Sequence, residues 1–198
     1  MNEPVQDASL EIRQEQGADF AAYGEILIAF TVESVFDVVP QSGGLKGLAL
    51  VERQVENPYV KDYNVDGSKP ADWPKRFDTQ HWMVFSAYVG SHCVGGATVA
   101  WKTPELTLIP YRENRAILWD LRVAPHVRLR GIGRQLIAAA KAWANAQGCE
   151  EMVVETQNTN VPACRFYAAQ SFELFAIKPF AYPKLPEEIQ LLWRLAFN

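Results

Sequence analysis

Metal ligands and redox pairs are scarce in this chain. Its three histidines (His81, His92, His126) and three cysteines (Cys93, Cys149, Cys164) are scattered, with no C-x-x-C and no ligand spacing. A metal site and a disulfide framework are therefore not expected. No apolar run approaches the roughly 20 residues that cross a bilayer, no fixed-period repeat is visible, and the basic and apolar regions of a secretory leader are missing. A reducing cytoplasmic setting without membrane attachment is the expectation. Basic excess is lacking too. With 19 Lys and Arg against 23 Asp and Glu, the formal net charge is −4, which argues against a general nucleic-acid binder and suits a cationic small molecule better. Two phosphate-binding signatures are also absent. Gly131-Ile132-Gly133-Arg134-Gln135-Leu136 lacks the third glycine of the dinucleotide fingerprint, and no G-x-x-x-x-G-K-[ST] run occurs.

What is present is enough apolar material for one core. At 198 residues and 48% hydrophobic content, the chain reads as a single domain over residues 1–198. Leu10 to Arg13 reads as a short strand. Ala18 to Phe30 reads as a helix, because Phe20, Tyr23, Ile26 or Leu27, and Phe30 recur at helical spacing. Thr31 to Phe36 is extended, Gly43-Gly44 a turn, and Leu48 to Val55 a strand. Asn57 to Asp78, rich in Pro, Gly, Asp and Lys, reads as a surface excursion over the active site. Trp82 to Val89 and Val94 to Lys102 form a hairpin about Gly90-Ser91, with Ala116 to Val123 as the third antiparallel strand after a polar loop. Ile132, Leu136, Ala140, Trp143 and Ala144 make one face of a helix closed by Gly148, followed by a β-run over Glu151 to Thr156. Pro162 opens a second helix, and Phe172 to Lys178 and Ile189 to Phe197 are closing strands. The fold class is α/β in the α+β sense, a mixed sheet with flanking helices.

The densest chemical signal lies between the third antiparallel strand and the long helix. There Arg128, Leu129, Arg130, Gly131, Ile132, Gly133 and Arg134 form a basic, glycine-bearing turn that runs into a helix N-terminus. Glycine lets backbone N–H groups approach phosphate oxygens, and the helix start offers unpaired donors and the positive end of its dipole. Asp120 and Glu155 are carboxylates in apolar strand surroundings, where burial without a partner is costly, so each should be paired, solvated or functional. For Asp120 a salt bridge to Arg122 or another basic residue is the bland alternative, and for Glu155 a polar strand end.

The pattern Arg128-x-x-Gly131-x-Gly133 resembles the coenzyme A pyrophosphate loop of the GCN5-related N-acetyltransferases (GNAT). Asn160-Val161-Pro162-Ala163-Cys164-Arg165-Phe166-Tyr167 resembles that family's later motif N-x-x-A-x-x-F/Y-Y, although Ser171-Phe172 stands where the family usually has Gly-Phe. The resemblance implies a mostly antiparallel sheet whose central strand pair splays apart. It implies acetyl-CoA as cofactor, bound by Leu121, Arg122, Val123, the Arg128 to Arg134 loop, Asn160 and Tyr167. Backbone groups of Leu121 and Val123 would meet the pantetheine arm and thioester. Tyr167 would be the general acid toward the departing thiolate, and Asn160 would bond pantetheine or cap the helix. Asp120 and Glu155 are the candidates for general base, or for holding the substrate ammonium instead.

Longer stretches, Thr31 to Val35, Asn57 to Tyr63, Val94 to Ala100, Leu118 to Val123, Glu155 to Tyr167 and Glu188 to Trp193, are similar to the streptothricin acetyltransferases. That likeness implies acetylation of the β-lysine amine of streptothricin, hence antibiotic resistance, by direct transfer in a ternary complex. Glu33, Asp37, Tyr59, Asp62, Tyr63, Trp119, Asp120 and Glu155 could line a cationic pocket. Another amine, such as a polyamine, an aminoglycoside or a protein N-terminus, and a non-catalytic acyl-CoA sensor are the alternatives. A homodimer is a further expectation, since closing strands of such folds often pair.

Overall fold

The computed structural model describes residues 9–16, 19–66 and 69–197. The chain divides into two compact units, one of Met1–Ile28, Tyr63–Val153 and Ala196–Asn198, the other of Ala29–Asp62 and Val154–Leu195. Among the described residues, no helix is long and apolar enough to cross a membrane.

The first unit is built on four antiparallel strands in the order β1 (Leu10–Glu15), β4 (Met83–Val89), β5 (His92–Ala100) and β6 (Arg115–Val123). The hairpin between β4 and β5 turns at Gly90, φ 61°, as the two-residue Gly-Ser turn predicts. Helix α4 (Ile132–Ala146) lies on this sheet and buries Ile132, Leu136, Ile137, Ala140 and Ala144, one continuous stripe at 3.6-residue spacing. It ends in a Schellman motif. Gly148 takes φ 78°, its N–H reaches Asn145 O at 3.0 Å, and the next N–H, of Cys149, reaches Ala144 O at 3.1 Å.

Two sequence expectations are corrected in this region. The helix expected over 18–30 is one short turn, α1 (Phe20–Gly24), capped by Asp19, whose side chain accepts from Ala21 and Ala22; Ala18 lies outside the described residues. Gly24 is a poor helix residue, and the β-rich run beyond it enters a strand at Phe30. The excursion expected over 57–78 is mostly exposed, as expected, but it is structured and sends Lys61, Pro70 and Trp73 into the interior. Its first part completes a strand, and after α2 (Tyr63–Asp66) the short helix α3 (Trp73–Arg76) drives Trp73 into the core at 3% exposure. The Trp73 ring meets Phe20, Tyr23, Trp82 and Trp119 at centroid distances of 5.3, 6.0, 5.9 and 6.4 Å. The apolar area of one indole outweighs a loop-like composition around it.

In the second unit β2 (Phe30–Pro40) and β3 (Leu48–Lys61) form a long antiparallel hairpin. Its register slips at Glu33. Val32 faces Tyr59 and Ser34 faces Gln54, so Val55 to Pro58 bow out opposite one residue. Pro58 cannot donate to a ladder, which is why the strand reads as coil there. Strand β7 (Glu151–Gln157), which starts in the first unit, leads to α5 (Val161–Ala169), and β8 (Glu173–Lys178) pairs antiparallel with β9 (Gln190–Ala196), β9 lying between β7 and β8. Asn158, 6% exposed, ties this unit together. Its backbone N–H donates to Ile189 O at 3.0 Å, its Oδ1 accepts from Ile189 N at 2.9 Å, and its side chain and carbonyl bond both backbone groups of Phe36 at 3.0 and 2.9 Å.

Candidate active site

The basic turn takes the shape the sequence asks for. A 3-10 turn over Pro125–Val127 leaves β6, Leu129 adopts φ 63° with its side chain fully exposed, and Gly131 adopts φ 82° directly before α4. A Cβ on Gly131 would meet nothing within 4 Å, so glycine is demanded here by conformation and not by space. The fifteen-residue α4 then offers its N-terminal N–H groups and dipole beside the exposed Arg130 and Arg134. Arg128 does something different. Its Nε donates to Val123 O at 2.9 Å and its second guanidinium nitrogen to Leu27 O at 3.4 Å, and burial pulls its pKa below the usual arginine range. It pins the turn to the strand that precedes it. The residues present fit a pyrophosphate, with an open glycine turn, a helix start and two exposed guanidinium groups.

Asp120 sits just past a bulge. Thr98 faces Asp120 and Val99 faces Leu118, so Trp119 is the extra residue on β6. Side chains alternate along a strand, and the inserted residue breaks the alternation. Ile117 and Trp119 therefore pack against the aromatic cluster of Phe20, Tyr23, Trp73 and Trp82, while Asp120 and Arg122 reach Tyr23 on that same face. Asp120 accepts three bonds there. Arg122 donates from Nε to Oδ1 at 2.8 Å and from a terminal nitrogen to Oδ2 at 2.6 Å, and Tyr23 Oη donates to Oδ1 at 2.6 Å. The ion pair is buried, and the remaining Arg122 nitrogen holds Ile26 O at 3.1 Å. Gly96 makes room for this, because a Cβ there would lie 2.4 Å from the Tyr23 ring. Burial, then the charge of Asp120, push the Tyr23 hydroxyl well above its ordinary pKa.

Glu155 has a different setting. Its Oε1 accepts from the Tyr182 hydroxyl and from Gln157 Nε2 at 3.2 Å, and the same Gln157 nitrogen donates to Tyr182 Oη at 2.9 Å. Burial raises the Glu155 carboxyl above the usual range, and the hydrogen bonds of Tyr182, Gln190 and Gln157, with the Lys178 charge, offset only part of that. The Tyr182 hydroxyl is itself pushed up, by burial first and then by Glu155. Nearby in sequence, Asn160 caps α5 through Oδ1 accepting from Ala163 N at 3.1 Å, so the capping alternative is the one its carbonyl realises.

Tyr167 is 6% exposed on α5, its ring against Phe166 and Phe172 at 5.4 and 5.6 Å. The departure from Gly-Phe turns out to preserve geometry. Ser171 adopts φ 68°, its N–H reaches Ala168 O at 3.1 Å, and Phe172 N reaches Tyr167 O at 3.1 Å. This is the same Schellman closure that Gly148 makes after α4, with serine in the left-handed position and the Tyr167–Phe172 contact as its apolar clasp.

The residues expected to line a cationic pocket have separate local settings. Glu33 is exposed at the β2 bulge, and Asp37 pairs with Arg53 at 2.7 Å, which holds its carboxyl below the usual range. Tyr59 is 45% exposed, with its hydroxyl raised by burial and then by the acidic Glu188 and Glu187. Asp62 and Tyr63 are half-buried, and Trp119 packs edge-on to Phe77 at 5.4 Å. Sequence reasoning missed Tyr23, Gln157 and Tyr182, and also a buried ion pair of Lys61 with Glu188. Tyr23, Tyr182 and the Lys61–Glu188 pair have no local signal, since their partners lie on other elements, whereas Gln157 stands two residues from Glu155 on the same strand and could have been found.

The family model of the acetyltransferase (GNAT) family matches residues 50–172. Streptothricin acetyltransferase A of Bacillus subtilis (strain 168) is 27% identical over 151 residues, 74% of this chain and 78% of that protein. Streptothricin acetyltransferase of Escherichia coli is 29% identical over 167 residues, 83% of each. A Bacillus anthracis str. Ames protein, solved in complex with acetyl coenzyme A, superposes with a TM-score of 0.73 at 25% identity, covering 98% of this chain and 100% of that one. The chain belongs to the GNAT acetyltransferase family of acetyl-coenzyme-A-dependent N-acetyltransferases.

Proposed function

We propose that the chain acts as one acetyltransferase domain that moves an acetyl group from acetyl-CoA to a primary amine of a small cationic acceptor, the β-lysine amine of streptothricin, by direct transfer in a ternary complex. The observation that carries the acceptor is the likeness to two streptothricin acetyltransferases over about three quarters or more of the chain. When bound, acetyl-CoA supplies the acetyl group as a thioester. The Arg128 to Arg134 turn with the start of α4 holds its pyrophosphate, and the backbone of Leu121 and Val123 orients the arm. Glu155 holds the substrate ammonium and takes its proton, and Tyr167 gives its hydroxyl proton to the departing sulfur. Asp120 supports the site as an anchor, because its carboxylate is already bonded to Arg122 and Tyr23. Glu33, Tyr59, Asp62, Tyr63 and Trp119 contribute to the acceptor side.

Thiol release from acetyl-CoA, with streptothricin beside spermidine, an aminoglycoside and a short peptide, tests the reading. Saturable turnover with streptothricin, at least about 100-fold above the others in kcat/KM, is expected. Preference for another amine would move the acceptor, and tight acetyl-CoA binding without turnover on any acceptor would make the protein a sensor. Tyr167→Phe is expected to keep coenzyme binding and lower kcat about 100-fold. Unchanged kcat would remove Tyr167 from the acid role.

A further inference from the structure

Between β8 and β9 the chain crosses a long connection that carries Tyr182 back over β7. Three side chains close a ring there: Tyr182 Oη donates to Glu155 Oε1, Gln157 Nε2 donates to Tyr182 Oη at 2.9 Å, and the same nitrogen donates to Glu155 Oε1 at 3.2 Å. Both donors converge on one oxygen of the carboxylate. A carboxylate has about four acceptor sites, so even with Gln190 as a further donor the group keeps acceptor capacity for a proton or an ammonium. The arrangement fixes the carboxylate plane without neutralising it, since the two donors carry no charge. The titratable and charged groups that act on Glu155 within this unit are Tyr182 and, at longer range, Lys178 on β8.

We propose that Tyr182 is a positioning residue for the transfer reaction, holding the Glu155 carboxylate in the orientation and ionisation state in which it receives the substrate amine. The proposal rests on the reading of Glu155 given above. A hydrogen bond to the ionised form favours that form, so the Tyr182 hydroxyl works against the burial that would otherwise keep Glu155 protonated. Without it the carboxyl holds its proton to higher pH and turns in its pocket. A tyrosine that only filled space would be replaceable by phenylalanine with no change in the pH dependence.

The test is the pH profile of kcat/KM for the amine, for the wild-type chain, Tyr182→Phe, Gln157→Met and Glu155→Gln, with thermal melting on each. Tyr182→Phe is expected to melt within a few degrees of wild type. Its acidic limb should move to higher pH, so that kcat/KM on that limb falls about three- to tenfold while the high-pH plateau stays within about threefold. Gln157→Met, which removes the donor common to both partners, should move the limb in the same direction by less, and it serves if Tyr182→Phe folds poorly. Glu155→Gln separates the two readings. If it abolishes turnover while Tyr182→Phe leaves the limb where it was, Glu155 stands and Tyr182 is structural. If Glu155→Gln keeps wild-type turnover and the wild-type limb, the reading of Glu155 fails first and Tyr182 loses its object.

Discussion

Replacing Asp120 by asparagine should cost stability far more than a surface carboxylate would, and this follows from three distances. Asn keeps one acceptor, so the Tyr23 hydroxyl and Arg122 Nε can still converge on Oδ1, where they stand at 2.6 and 2.8 Å. The other oxygen becomes an NH2 group facing the Arg122 nitrogen that had been 2.6 Å away, a donor against a donor. The Arg122 side chain is only 2% exposed, so the stranded charge has no water to turn to. Breaking a buried pair by removing one partner costs about 3–5 kcal/mol, and the retained acceptor puts Asp120→Asn near the lower end, about 3 kcal/mol. For a chain of this length that is about 6–12 °C in Tm. The assay is urea unfolding followed by tryptophan fluorescence, because Trp73, Trp82 and Trp119 report on the cluster that Tyr23 joins. The midpoint should fall with an unchanged slope. Tyr23→Phe, which removes one bond to a charged group, should cost about 1.5–3 kcal/mol, and the double variant should cost less than the sum. Stability of Asp120→Asn within about 0.5 kcal/mol of wild type, combined with lost turnover, would refute the anchor argument and return Asp120 to the chemistry.

Ser171→Gly should stabilise the chain by about 0.5–1 kcal/mol, because a left-handed non-glycine residue costs about 1–2 kcal/mol and the added glycine entropy returns part of that; Gly148→Ala, at φ 78° in the matching position of α4, should cost about 1 kcal/mol, and differential scanning calorimetry on both reads the contrast. Gly96→Ala should cost about 1–3 kcal/mol, since its Cβ would stand 2.4 Å from the Tyr23 ring and 3.2 Å from Phe85 O, and unfolding curves matching wild type would show that Tyr23 can move freely. Arg128→Ala should weaken acetyl-CoA binding about tenfold in titration calorimetry through a loosened turn, with little change in the KM of the amine; no change would undo the pinning argument.

The elements with a strong period or an unmistakable turn were readable in advance. The β4–β5 hairpin, β6, α4 with its glycine closure, α5 and the two closing strands all stand within a few residues of where apolar spacing and Gly or Pro place them. Where the reading failed, a distant partner overrode local composition. Trp73 belongs to a proline- and glycine-rich stretch, yet it is claimed by Phe20, Tyr23 and Trp82. Pro58 hides a strand because the bulge opposite Glu33 absorbs it. At the candidate site, the shape of the glycine turn before α4 was legible because its backbone geometry is local. The partners of the two carboxylates were less so: Arg122 lies two residues from Asp120 and could be guessed, but Tyr23 and Tyr182 lie 97 and 27 residues from the groups they bond. The bulge at Trp119, which turns Asp120 to the Tyr23 face, has no sequence mark.

Asp120 and Glu155 bear the same functional group on β-strands, and their surroundings argue for opposite uses. A general base works best when its conjugate acid has a pKa near the working pH. Asp120 is bound in bidentate geometry by a full positive charge and by the Tyr23 hydroxyl, so both of its oxygens are committed to a buried ion pair on which the local packing depends. Glu188 is committed in the same way to its buried pair with Lys61. Glu155 is bonded by neutral donors, a phenol and an amide, and its burial raises its carboxyl above the usual carboxylate range. Protonating it would cost it only part of those hydrogen bonds and would relieve the desolvation of its charge. The physical distinction is therefore the charge of the partner, and it is the reason that the base we propose is Glu155 and not Asp120.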